Sequence, residues 1–130
     1  LSAASRSVAR CCSDLIGLRY RLGADGSDGT IDCIHLVTAV LDLLGLQHPS
    51  ITAEMYQASP RQIARWLLTW GDRVVVPSYD GDVLLLPAAD KAFGVVWNGG
   101  ILSIEQLSET VQWTPLSNCI VCPCFRMKGS

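Results

Sequence analysis

Asp32 and Cys33 lie between a loop rich in glycine and aspartate and a long apolar run, in the stretch Gly29-Thr30-Ile31-Asp32-Cys33-Ile34-His35. Aspartate is a favoured helix N-cap, so Cys33 falls in the first turn of the helix that follows. There the exposed N–H groups and the partial positive charge of the helix end favour thiolate over thiol. Cysteines so placed can titrate below the ~8.5 of a free thiol. Cys33 is therefore a candidate nucleophile. It is also small and apolar enough to be one more buried residue of that helix, and position alone does not separate the two. A nucleophilic thiol needs a base within about 3 Å, and the chain has two histidines, His35 and His48. His35 is about 200° around the helix from Cys33. It shares a narrow polar stripe with Thr38 and Asp42 at i, i+3, i+7 and reads as a solvated surface histidine. His48 follows Gly45, about 20 Å along the helix from Cys33 at ~1.5 Å per residue. Neither reads as the base.

The elements around Cys33 follow from periodicity. Residues 3–16 carry helical spacing, with Val8, Cys11, Cys12, Leu15 and Ile16 on one side. Gly17 ends it, Leu18 to Leu22 read as a short extended piece, and Gly23, Gly26 and Gly29 punctuate a loop. From Asp32 to Leu44 the pattern is helical and almost wholly apolar, with Gly45 placed as the residue that ends it. Ser59 as N-cap and Pro60 as first residue open a second helix to about Thr69. The period then changes to strands at 73–77, 82–87, 93–97 and 100–104, with a last one in the segment 118–127. Asn98-Gly99 is the strongest hairpin signal. Helices first and an antiparallel meander after them predict an α+β domain, with the cysteine helix packed on one face of the sheet.

Composition narrows the function classes. At 130 residues with 49% apolar content, the chain reads as one domain, 1–130, with a core of its own. A net charge of −2 and singly scattered Lys and Arg give no footprint for nucleic acid. No apolar stretch reaches the ~18 residues of a membrane span. The opening residues lack the apolar core of a signal peptide, though a trimmed signal leaves export open. Six cysteines, two of them adjacent at Cys11-Cys12, favour reduced thiols in a cytoplasmic protein over a disulfide framework. Cys119, Cys122 and Cys124 have zinc-like spacing but sit in a predicted strand, where small buried residues are the simpler reading. The loop from Asp25 to Gly29 has its glycine one position early for calcium, and position 12 is Leu36. No metal and no cofactor are expected. Trp66 and Trp70, at i and i+4, read as one helix face on the core.

The combination of motifs resembles the NlpC family of papain-like cysteine peptidases. That family is marked by a Tyr-x-x-Gly segment, a glycine loop and an Asp-Cys-Ser-Gly-Leu-Val helix start. A Gly-Asp strand start and a His-Val-Gly-Ile strand with a glycine turn follow. Here Tyr20 to Gly23, Asp32-Cys33 with Leu36-Val37, Gly81-Asp82, and Ala92-Phe93-Gly94-Val95 align in order, from about residue 5 to 126. The resemblance implies a papain-like α+β fold and a Cys33 thiolate that attacks an amide carbonyl to form a covalent acyl-enzyme. It implies a peptide or peptidoglycan-like substrate for the cell-wall members; other branches are phage-tail proteins, amidases and acyltransferases. It places Tyr20 near the nucleophile, Asp32 and Ile34 at substrate-binding positions and Ser103 at the position that orients the base, with Ile104 in the neighbouring register. The chain departs from the pattern at three places. Ile34-His35 replaces the family's Ser-Gly, so the family's pocket for a free amine loses its serine. The catalytic histidine aligns with Ala92, whose methyl group cannot take a proton. The orienting polar group is reduced to Ser103. Two accounts of Ala92 follow: a natural pseudoenzyme that binds or builds, with a protein as partner, or a histidine replaced to trap an inactive form. The retained Tyr20, Asp32 and Cys33 favour the second. Acyl transfer is open to the same thiol. Production in the cytoplasm, with action at the cell envelope after delivery, fits this reading.

Overall fold

The computed structural model describes residues 11–86, 93–118 and 122–129. Among these residues, two α-helices and eight strands are arranged in the order β1 (Arg19–Tyr20), β2 (Thr30–Ile31), α1 (Cys33–Leu44), α2 (Pro60–Trp70), β3 (Gly71–Val74), β4 (Val83–Leu85), β5 (Phe93–Trp97), β6 (Gly100–Ile104), β7 (Val111–Pro115) and β8 (Cys124–Met127). The helical pattern at 3–16 lies mostly outside the described residues. Its described part is a single 3-10 turn at Cys12–Leu15, which Gly17 ends with φ +92°.

α1 begins and ends where its residue types require. Asp32 accepts from the His35 backbone N–H, and Gly45 closes the helix in the left-handed region. Its apolar run is buried nearly all round: Cys33, Ile34, Leu36, Val37, Val40 and Leu41 all belong to one core cluster. At about 1.5–3 kcal/mol for each large aliphatic side chain buried, α1 is the centre on which the rest packs. α2 opens with a complete capping box between Ser59 and Gln62, and sets Ile63 and Leu67 into the same core. Trp66 and Trp70 pack on its margin, half-buried.

β1 and β2 pair in parallel, and β3 to β8 form a six-stranded antiparallel sheet in the order β3-β8-β4-β5-β6-β7. The meander holds for β4 to β7. It fails at the end: β8 inserts between β3 and β4, so the last strand closes the sheet through long-range pairing that sequence spacing does not encode. β7 is an edge strand absent from the sequence reading. Its residues Val111, Gln112, Trp113 and Thr114 mix buried and exposed positions. β3 starts earlier than expected and stops at Val74, leaving Val75 93% exposed. The β5–β6 turn is built as predicted, with Asn98 and Gly99 both at positive φ, 53° and 74°.

The strands alternate cleanly between faces. Val83, Phe93, Val95, Leu102, Ile104, Val111, Phe125 and Met127 join the cluster that contains α1. Leu84, Val96, Ile101 and Cys124 form a second cluster on the other face. Gly94 is held by that second face, where an added Cβ would meet Ile101 Cγ2 at 2.9 Å. Gly100 is likewise forced, since a Cβ there would overlap the Trp113 ring, whose N–H donates to Trp97 O at 2.9 Å.

The Gly-Asp element has a structural task. Asp82, fully buried, accepts from the backbone N–H groups of Ser78 and Tyr79 at 3.0 and 3.1 Å. It also accepts two bonds from the Arg126 guanidinium, both 2.9 Å. Arg126 stacks 4.0 Å from the Tyr79 ring. One carboxylate thus ties the loop before β4 to β8. Arg126→Ala leaves Asp82 buried without its cation. We expect a loss on the order of 2 kcal/mol, below the full cost of breaking a buried pair because Arg126 is partly solvated. Urea unfolding followed by tryptophan fluorescence measures it. A change within ~0.5 kcal/mol, the range of an ordinary surface substitution, would remove Asp82–Arg126 from the interactions that close the sheet.

Candidate active site

Three segments meet at the N-terminal end of α1: the glycine loop, the helix start and a 3-10 turn at Ala53–Tyr56. The loop turns on Gly23, Gly26 and Gly29, all at positive φ. It folds back through Asp32 N–H to Ala24 O at 3.0 Å and Gly26 N–H to Thr30 O at 2.7 Å. Arg21 and Asp28 pair across it at its exposed rim. β1 and β2 then carry Tyr20 and Ile31 side by side to the helix start.

At the centre is Asp32, 1% exposed. Its Oδ1 accepts from the His35 backbone N–H and from His35 Nδ1, each at 2.8 Å. Its Oδ2 accepts from Gly23 N–H at 2.8 Å and from the Tyr56 hydroxyl at 2.7 Å. Two donors on each oxygen fill the four acceptor positions of a carboxylate. All four acceptor positions of Asp32, which the family resemblance places at the substrate, are engaged within the protein.

Cys33 follows directly, 7% exposed and part of the core cluster. Ile34 is equally buried. It lines a cavity of about 30 Å³ with Ile63, Leu67 and Phe93, under α2. Tyr20 is half-buried at the edge of the core cluster, its backbone N–H bonded to Glu109 O at 2.7 Å.

His35 departs from the expected solvated stripe. Its side chain is 21% exposed, held by Asp32 and 3.2 Å from the Tyr56 hydroxyl. Thr38 on the same stripe is buried and donates to His35 O. The reason is the cap. With Asp32 as N-cap, His35 is the third helical residue, whose side chain reaches back over the cap as in a capping box. The nitrogen facing a carboxylate carries the proton, which leaves Nε2 as the acceptor of the neutral ring. His35 lines a cleft of about 740 Å³ with Asp25, Thr38, Asp42 and His48, residues of the helix side and glycine loop; Cys33 is not among its lining residues. His48 is fixed at the far end of α1, between Asp42 Oδ1 and Pro49 O, both at 2.7 Å.

Ala92, the position expected of the base, lies outside the described residues. β5 starts at Phe93, whose side chain is on the α1 face of the sheet. Ser103 pairs with Gly94 and therefore shares the opposite face with Ile101 and Val96. The residue of β6 on the α1 face is Ile104. Of the two registers weighed for the orienting group, the one facing the helix holds an apolar side chain. Among the described residues, no group of three or more His, Cys, Asp or Glu side chains is placed to hold a metal ion. No described helix is long and apolar enough to cross a membrane.

Tyr56 was not singled out by sequence, and no local pattern marks it: it is 24 residues from Asp32 in an irregular segment. Its phenol is pushed well above its ordinary value of 10.0, first by burial, then by the hydrogen bond and charge of Asp32, with smaller contributions from Cys33 and Tyr20. A phenol raised on folding stabilises the native state while it is neutral in both states. That stabilisation is lost as the unfolded chain ionises above pH 10. Urea midpoints should therefore fall between about pH 9 and 11, and Tyr56→Phe should flatten part of that fall. Equal slopes for the two proteins would contradict the part-buried bond of the hydroxyl to Asp32.

The central helix with a cysteine at its first residue, packed on an antiparallel sheet, is the papain-like α+β fold of NlpC-type domains. A solved structure described as the NlpC/p60 domain of peptidoglycan hydrolase SagA superposes on it with a TM-score of 0.57 at 14% identity, covering 98% of this chain and all of that one. No family model and no curated protein matches the sequence.

Proposed function

We propose that the chain is a cysteine hydrolase domain of the peptidase or amidase kind, acting on an amide bond such as those of bacterial cell-wall peptide. The observation that carries this is Cys33 as the first residue of the central helix, capped by a buried aspartate, in a fold shared over 98% of its length with a peptidoglycan hydrolase domain. In the reaction the thiolate sulfur bonds to the carbonyl carbon and a base holds the thiol proton. The proton passes to the leaving amine as the C–N bond breaks, and water then hydrolyses the thioester. Helix N–H groups at the start of α1 favour the anionic sulfur.

Position 92 is where this reading expects the base, so the chain with alanine there is an inactive form. Made with reduced thiols in the cytoplasm, it would meet its substrate after delivery to the envelope. A second reading has support of its own. The buried residues that β5 and β6 contribute to the core cluster around α1 are Phe93, Val95, Leu102 and Ile104, all apolar. A natural pseudoenzyme that binds a peptide or protein partner, as a tail or assembly component, would need nothing else there. Acyl transfer uses the same thioester with an amine or alcohol in place of water.

The decisive variants are Ala92→His and, for the neighbouring position that faces α1, Phe93→His, each with and without Cys33→Ala. Cleavage of synthetic peptides and of cell-wall digests is read by mass spectrometry. We expect Cys33-dependent cleavage from Ala92→His at least ~10²-fold above the parent, the scale of a placed general base. If neither variant gains cleavage or a thioacyl adduct at Cys33, the hydrolase reading fails and the binding reading replaces it.

A further inference from the structure

We propose that Tyr56 is a positioning residue of the Cys33 site, acting through Asp32. This rests on the reading of Cys33 as a nucleophile, and on nothing about residue 92. Tyr56 closes the 3-10 turn Ala53–Tyr56 and reaches across from a separate segment to place its hydroxyl 2.7 Å from Asp32 Oδ2. The same hydroxyl lies 3.2 Å from His35 Nδ1. Asp32 is fully buried and is the residue before the thiol. A bare carboxylate in that position opposes ionisation of Cys33 by like-charge repulsion in a poorly solvated setting. Each donor that bonds to it draws its charge away from the sulfur and holds it in the capping geometry.

Of the four donors, two are backbone N–H groups and one is the His35 ring. Tyr56 is the donor supplied from outside the loop–helix segment, and the one whose removal leaves an equal ring in place. Among the described residues, the ionisable side chains that bond to Asp32 beside the thiol are His35 and Tyr56, with Tyr20 close to Tyr56. They come from the helix start, β1 and the 3-10 turn, and Tyr56 couples electrostatically to Asp32, Cys33 and Tyr20. A purely structural tyrosine would need only its ring. Here the hydroxyl lies on the carboxylate of the residue that directly precedes the thiol.

The test uses the full chain as it stands. The rate of Cys33 alkylation by iodoacetamide is followed across pH, by mass spectrometry of the peptide that contains Cys33, for the parent and for Tyr56→Phe. We expect the midpoint of the rate profile to move up by about half a pH unit, with a similar limiting rate at high pH. In an Asp32→Asn background the same Tyr56→Phe change should leave the midpoint where it is. A structural role alone predicts faster alkylation at every pH with a fixed midpoint; that outcome overturns the proposal, as does an equal shift in the Asp32→Asn background. If Asp32→Asn does not fold, the Tyr56→Phe profile decides by itself, a fixed midpoint counting against the proposal. The readout is the thiol, so it is separate from cleavage. A shifted midpoint with no cleavage from Ala92→His or Phe93→His would sustain Tyr56 while the hydrolase reading falls.

Discussion

A single buried carboxylate organises the end of the molecule where the thiol sits. Asp32 caps α1, pins the glycine loop through Gly23, fixes the His35 ring and receives Tyr56 from a distant turn. Burying a charge costs several kcal/mol unless donors replace the lost water. Four donors at 2.7–2.8 Å do so here, and each of them must be in place together. Loop, helix start and turn are thereby locked to one another around Cys33. Asp82 does the same at the other side of the fold, where Arg126 and two backbone N–H groups tie the loop before β4 to β8.

These two aspartates show how a motif residue can carry chemistry indirectly. Both lie in stretches that resemble the family pattern, Asp-Cys and Gly-Asp, and both are spent on internal bonds. The remaining polar candidates around the thiol divide by geometry. His35 is fixed by Asp32 on the side of the cleft shared with Asp25 and Asp42. Ser103 is on the sheet face away from α1, and Phe93 and Ile104 occupy the face towards it. The described surroundings of Cys33 are thus apolar on the sheet side and hydrogen-bonded on the loop side.

Helix caps and the hairpin turn are legible in the sequence because a few neighbouring residues decide them. Asp32 and Gly45 bounded α1, Ser59 and Pro60 opened α2, and Asn98-Gly99 closed the β5–β6 hairpin. His35 is not the solvated surface histidine that its angle from Cys33 suggests, because its partner is the cap three residues back. The Asp-x-x-His spacing contained that information. β7 gave little signal, since an edge strand with Gln112 and Thr114 between Val111 and Trp113 resembles a polar loop.

What the sequence determined by itself was most of the elements, the α+β class and the place of the thiol at a helix start, because caps, turns and periodicity act over a few residues. The tertiary structure decided what those elements meet. Whether Ser103 or Ile104 faces the helix depends on the pairing of Gly94 with Ser103, and a one-residue slip would exchange them. The position of β8 between β3 and β4 depends on pairing across forty residues or more. Tyr56 reaches Asp32 only after the chain has folded around α1, and no spacing rule joins residues 24 apart in an irregular segment.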